Sequence, residues 1–214
     1  IRSIRESLNS NIMFDNHLII TVGNNWLKDN KIKITAGIMR SRDLSFSSDD
    51  LLKPTKSYIR ETIFNIIKIN NKMISLDLFS GSGILSAEAL SRGIRKAILV
   101  EKNKKICKKI ILEFKKLGIN NYEIFSEDAI IFLDKLHHED YNIIFIDPPY
   151  NTNLLELVIN KLKKNNFLKK TQYIYIEQSK KNYNREIISL ISETHNLLKD
   201  LSIGDVSYTI AMKR

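Results

Sequence analysis

The sequence predicts an α/β protein: a mainly parallel, Rossmann-like sheet closed by an antiparallel hairpin, with a small β-hairpin and helix unit in front of it. Three observations carry this. From Met73 onward, short apolar runs alternate with amphipathic helical stretches, as in a parallel sheet. A glycine turn, Asp77-Leu78-Phe79-Ser80-Gly81-Ser82-Gly83, stands between the first apolar run and the first helix. Near the C-terminus, Gly204-Asp205 separates two extended stretches, a plausible hairpin turn.

The 214 residues suit one main domain with an appendage. The expected division is an N-terminal extension over residues 1–30, a small basic unit over 31–72 and the sheet domain over 73–214. The net charge of +10 and a pI of about 9.5 point to a polyanionic partner. A general drift toward lysine, isoleucine and asparagine would raise the charge as well. Cys107 is the single cysteine, which excludes an intrachain disulfide and fits a reducing, cytoplasmic location. It lies in a helix-period run and reads as a buried structural thiol. The four histidines are scattered, and none shows zinc spacing with a cysteine. His137-His138 reads as a helix end. No apolar run approaches membrane-spanning length, and the start lacks a signal-peptide core.

In chain order, Leu18–Val22 is a candidate strand, and Asn24-Asn25 and Asp29-Asn30 are turn material. Lys31–Ala36 alternates like a half-buried strand, Gly37 breaks it, and Arg40–Phe46 resumes. Lys53-Pro54-Thr55-Lys56 is a rigid basic loop. Thr55 or Ser57 is expected to cap a helix through Ile59, Ile63, Phe64 and Ile67. Arg40, Arg42, Lys53, Thr55 and Arg60 are the candidate contacts to a polyanion. Five parallel strands are expected, at Met73–Leu76, Ala97–Glu101, Tyr122–Phe125, Tyr141–Ile146 and Tyr173–Glu177, with helices between them.

The turn at Asp77 lies at the carboxyl end of a strand, where open α/β sheets bind ligands. Its glycines permit a sharp turn and close approach of a ligand to the backbone. A dinucleotide fingerprint would need a third glycine where Ser86 stands, and the chain has no phosphate-loop motif. An acid before the turn suits a cationic amino group better than a phosphate. Asp-x-Phe-x-Gly-x-Gly therefore resembles the first motif of Rossmann-like methyltransferases, whose cofactor is S-adenosylmethionine. Glu101 ends the next apolar run about 20 residues on, where a ribose-binding carboxylate is expected. Asp128-Ala129 follows the third strand, where an acid can accept from an adenine amino group and also cap its helix.

The fourth strand delivers Asp147-Pro148-Pro149-Tyr150 to the same sheet edge. The prolines fix φ, donate nothing and leave carbonyls free as acceptors. Asp147 adds a carboxylate, and Tyr150 adds a π-face for a base. Such a cluster suits the exocyclic amine of a flipped nucleobase. Stacking needs the Tyr150 ring and not its hydroxyl, so Tyr150→Phe is expected to do little. No metal is required.

Together these residues resemble the RsmD family, bacterial small-subunit rRNA (guanine-N2)-methyltransferases. The resemblance runs from about Lys31 to the C-terminus. It rests on Ala36-Gly37 with Arg40-x-Arg42-x-Leu44, on Lys53-Pro54-Thr55 with Arg60-Glu61-Thr62-Ile63-Phe64-Asn65, on Asp77 to Arg92, and on Asp147 to Tyr150. It implies that Asp77, Phe79, Gly81 and Gly83 hold the methionine part of the cofactor, Glu101 the ribose, and Asp128 with Ala129 the adenine. It implies that Asp147, Pro148, Pro149 and Tyr150 hold a guanine, and that the N-terminal unit contacts small-subunit rRNA in an assembled or assembling particle. The expected protein is a monomer. Where the family has arginine before Pro-Thr this chain has Lys53, which makes no bidentate phosphate contact. Ser57-Tyr58 and Ala36 also depart from the family pattern. The rival readings are a DNA adenine-N6 methyltransferase, for which the chain lacks a target-recognition domain, and a non-catalytic assembly factor.

Overall fold

The computed structural model describes residues 10–14, 18–22, 29–47, 53–136 and 140–214. Asn24-Asn25 and His137-His138 lie outside them. Strands β1 (Ser10–Phe14) and β2 (Leu18–Val22) pair antiparallel, as do β3 (Asp29–Lys33) and β4 (Asp43–Ser47). The expected turn residues Asp29-Asn30 instead begin β3, paired with Ser47 and Phe46. Helix α1 covers Ser57–Ile66. Its N-cap is Lys56, with no side-chain cap, rather than Thr55 or Ser57.

The main sheet has seven strands. Five are parallel: β5 (Ile74–Asp77), β6 (Lys96–Val100), β7 (Tyr122–Phe125), β8 (Ile143–Ile146) and β9 (Tyr173–Ser179). The closing hairpin is β10 (His195–Ile203) and β11 (Val206–Lys213), and β11 inserts antiparallel beside β9. The order is β10-β11-β9-β8-β5-β6-β7. The chain thus reverses direction across the sheet at β5, with β6 on one side and β8 on the other. This is the switch point at which open α/β sheets bind ligands.

Helices α2 (Ile84–Ser91), α3 (Lys104–Leu117), α4 (Ala129–Lys135), α5 (Leu154–Lys164), α6 (Phe167–Lys170) and α7 (Arg185–Ser192) complete the fold. Both sheet faces are buried, which is why β8 reads Ile-Ile-Phe-Ile without alternation. One core joins Leu99, Phe145 and Tyr175 to Ile106, Ile110 and Phe114 of α3 and to Ile59, Ile63 and Phe64 of α1. The other joins Leu76, Ile144 and Ile176 to Phe132, Val158 and Ile187. Cys107 is buried and free, as expected. Among the described residues, no helix is long and apolar enough to cross a membrane.

The N-terminal unit shares the first core and is joined to α2 by polar contacts. Glu88, fully buried, accepts from the Thr35 amide at 2.8 Å, the Thr35 hydroxyl at 3.1 Å and Arg60 Nε at 3.1 Å, and pairs with Arg92 at 3.3 Å. Gly37 sits at φ 84° against the end of the same helix, where an added Cβ would lie 1.9 Å from the Ser91 carbonyl. The Ile38 amide donates to that carbonyl at 2.8 Å, and the Met39 amide to Ser91 Oγ at 2.9 Å. A second joint lies on α3, where buried Glu113 accepts from the Ser45 amide at 2.9 Å and from Lys116 at 2.6 Å.

Candidate active site

Asp77 ends β5, paired with Leu99 on one side and Phe145 on the other, so its carboxylate stands at the switch point. It is buried, and Ser86 Oγ donates to its Oδ2 at 2.9 Å. Burial pushes its pKa from 3.8 to about 7, the Ser86 bond opposes the rise, and the nearby Glu101 charge adds to it. A folded pKa above the unfolded one means that the fold favours the protonated acid. The stability this gives is full below about pH 3.8 and is lost as pH rises through about 7. A cationic group placed beside Asp77 would restore what ionisation costs.

The turn after Asp77 is held by its own backbone. Ser80 Oγ donates to the Asp77 carbonyl at 3.0 Å, and the Gly83 amide to the Ser80 carbonyl at 2.7 Å. Gly81 and Gly83 take φ of 49° and 77°, the left-handed region that glycine enters freely. An added Cβ at Gly83 would sit 3.3 Å from Ile110 and 3.4 Å from Phe114. Gly83 thus serves the turn and the fit of α2 on α3. Phe79 is half-buried and packs on the second core.

Glu101 follows β6 and braces the turn as well as facing the edge. Its Oε2 accepts from the Gly81 amide at 3.0 Å and its Oε1 from the Asn103 amide at 2.7 Å. Asp128 caps α4, accepting from the Ile130 amide at 2.9 Å, and Lys102 lies 3.3 Å from its other oxygen. Ala129 is buried in the first turn of α4. Along one sheet edge the chain therefore presents a buried carboxylate, a glycine turn, a second carboxylate and a helix-start carboxylate. That set fits a ligand carrying a cationic amine, a diol and a purine amine.

Asp147 directly follows β8, the neighbour of β5. Burial, then the charges of Glu177 and Asp77, push its pKa well above the carboxylate range. Pro148, Pro149 and Tyr150 line a cavity of about 420 Å³ with Glu177, Gln178 and residues of the following loop. The Tyr150 hydroxyl is engaged: it donates to Oε1 of Glu177. The expectation that stacking uses the ring alone leaves this bond out of account. Glu177 itself went unassigned in the sequence, although a carboxylate ending the run Tyr173-Ile174-Tyr175-Ile176 is the signal that marks it.

The basic candidates divide. Arg40, Arg42 and Lys53 are exposed. Arg60 is not a surface cation: it is 1% exposed, and its Nε bonds Glu88, one terminal nitrogen the Thr55 carbonyl and the other the Lys33 carbonyl at 2.7 Å. Burial pulls its pKa down and the Glu88 carboxylate supports it. It joins α1 and the end of β3 to α2. Thr55 is also buried. A cavity of about 550 Å³ lies over this joint, lined by Lys31, Lys33, Arg40, Lys56 and neighbouring residues.

The strand order and the two acid-bearing loops at one switch point define a Rossmann-like class I methyltransferase fold. The family model Conserved hypothetical protein 95 matches residues 32–211, and the chain belongs to that family, the RsmD family. A relative from Buchnera aphidicola (subsp. Acyrthosiphon pisum), named ribosomal RNA small subunit methyltransferase D, is 40% identical over 155 residues, 72% of this chain and 81% of its own. The protein of the same name from Escherichia coli is 32% identical, covering 84% of this chain and 89% of its own. The solved yhhF structure from Escherichia coli aligns with a TM-score of 0.74 at 30% identity, over 86% of this chain and 99% of that one.

One prediction concerns Glu101. Glu101→Ala is expected to weaken cofactor binding by about 1.5–3 kcal/mol, the range for hydrogen bonds to a charged group. The same change frees the Gly81 amide, so hydrogen exchange at the turn should quicken in the cofactor-free protein. Calorimetric titration that finds the wild-type affinity would remove Glu101 from the cofactor site.

Proposed function

We propose that the protein transfers a methyl group from S-adenosylmethionine to the exocyclic N2 of a guanine in small-subunit rRNA. One observation carries the reading: β5 and β8 are neighbours, so the glycine turn after Asp77 and the Asp147-Pro148-Pro149-Tyr150 loop meet at one edge. The names of the relatives supply the rRNA class.

Bound along that edge, S-adenosylmethionine supplies an electrophilic methyl group on a sulfonium. The chain's own work is placement. Asp77 receives the cationic amino group, Glu101 the ribose hydroxyls, and Asp128 with the Ala129 amide the adenine. Tyr150 stacks on the target base, while Asp147 and the Pro148 carbonyl accept from its amine. Those bonds draw the nitrogen lone pair out of the ring and toward the methyl carbon. With the cofactor held there, its sulfonium methyl would be available to the target nitrogen, and an amine that accepted it would have a proton to lose. A carboxylate whose pKa stands well above the usual range is suited to take it. Most of the rate comes from positioning and from the fixed charges around the site.

The test is methyl transfer from labelled cofactor to small-subunit particles and to naked rRNA, followed by nuclease digestion. The expected product is N2-methylguanine. Label in N6-methyladenine, or none at all, would overturn the reading.

Two further expectations follow from named residues. If Asp77 sits at about 7 and receives a cation, binding at pH 7 should release roughly half a proton, and affinity should fall as pH drops below that point. Calorimetry in buffers of different ionisation enthalpy reads this directly; binding without proton release removes Asp77 as the partner of the amine. On the N-terminal unit, Arg40→Ala with Arg42→Ala should weaken RNA binding and flatten its salt dependence, by about 0.7–0.9 in slope per lost phosphate contact. An unchanged slope makes both arginines ordinary surface.

A further inference from the structure

We propose that Glu177 is a positioning residue of the transfer site: through the Tyr150 hydroxyl it fixes the plane of the ring on which the target base lies. The inference rests on the reading that the Asp147–Tyr150 loop holds that base. Glu177 lies on β9 with 3% of its surface exposed, opposite Tyr208 of β11. A buried carboxylate there is costly unless its oxygens are satisfied. Both are: Tyr150 donates to one, and Tyr175 donates to the other at 2.6 Å. The Tyr175 ring is itself immobilised between Phe145 and Tyr208, at centroid distances of 6.3 and 6.5 Å. Glu177 therefore links a rigid sheet position to a half-exposed ring in a loop. It also lines the same cavity as Pro148, Pro149 and Tyr150.

The physical need is clear. A tyrosine ring in a loop has free rotation about two side-chain bonds, and a base stacked on a mobile plane would present its amine over a range of angles. In-line transfer tolerates little such spread. A charge-assisted hydrogen bond pins the far end of the ring and, because a phenol O–H lies in the ring plane, also favours one ring orientation before substrate arrives. Because most rRNA contacts would lie on the N-terminal unit, losing the anchor should act on turnover more than on substrate affinity.

The experiment is a double-mutant cycle with small-subunit particles as substrate, rates being normalised to cofactor-binding sites so that unfolded protein does not count. Tyr150→Phe and Glu177→Ala should each lower kcat about tenfold, with KM changed by less than about twofold. The double variant should be no slower than the slower single. Effects that multiply, or wild-type kcat in Tyr150→Phe, would overturn the proposal. If Glu177→Ala does not fold, Glu177→Gln replaces it in the cycle. A second readout needs no substrate: in fluorotyrosine-labelled protein, the fluorine resonance that disappears in Tyr150→Phe should move toward the free amino-acid position in the Glu177 variant. An unmoved resonance refutes the anchor. Failure of the wild type to methylate any small-subunit rRNA refutes the functional reading instead, and the anchor is then decided by the resonance.

Discussion

Asp147→Ala is expected to lower kcat on the order of a hundredfold or more, as loss of a positioned catalytic group does. The variant should fold, because Asp147 follows β8 and takes no part in the strand pairing. It should also still bind S-adenosylmethionine. Asp77 lies close enough to help raise the Asp147 pKa, whereas the shift at Asp77 itself comes from burial and from Glu101, so cofactor affinity in the variant should stay near wild type. In the wild type, activity should drop on the acid side as Asp147 gains its proton, at a pH above the ordinary carboxylate range. Near-normal turnover in a folded Asp147→Ala, measured with labelled cofactor and particles, would refute the mechanism.

Glu88→Ala is the second large expected effect, this time on stability. The substitution leaves the Arg60 guanidinium buried with no carboxylate, and frees the Thr35 amide and hydroxyl. Breaking a buried pair by removing one partner costs about 3–5 kcal/mol. For a chain of this size the melting temperature should fall on the order of 10 °C. Arg60→Met introduced with Glu88→Leu should recover part of the loss, since the more deeply buried of the two guanidinium partners of Glu88 is then no longer orphaned. Thermal unfolding of the three proteins decides it. A Glu88→Ala melting point within a degree or two of wild type would show that the joint at Glu88 contributes little to stability.

The sheet was legible because buried parallel strands are short apolar runs bounded by glycine and acid, and all five lie where such runs stand. The paired loops at Asp77 and Asp147 were legible because their residue types answer one chemistry. What escaped was the use of charge inside the protein. Arg60 read as a surface cation, yet it shares a helical stripe with Ile63, Phe64 and Ile67, three, four and seven residues on. That periodicity places it inward, and only a carboxylate from another helix makes the placement tolerable. Glu88 lies in a helix otherwise made of small and apolar residues, and Glu177 ends an apolar strand. Each looked incidental because its partners are distant in sequence: Arg60 and Thr35 for Glu88, Tyr150 for Glu177. A single sequence shows a misplaced charge but not the group that answers it.

The two joints at Glu88 and Glu113 have a consequence for substrate choice. They tie the β3–β4 hairpin to α2 and to α3, so the basic cavity cannot swing relative to Asp147 and Tyr150. On the proposed function, a grip on the phosphate backbone at the basic cavity and a base slot at Tyr150, held at constant separation, would act as a caliper. Only a nucleotide whose distance from the gripped backbone segment matched that span would enter the slot. Selection within a large RNA would then be made by length and shape, with no base read at the gripping end.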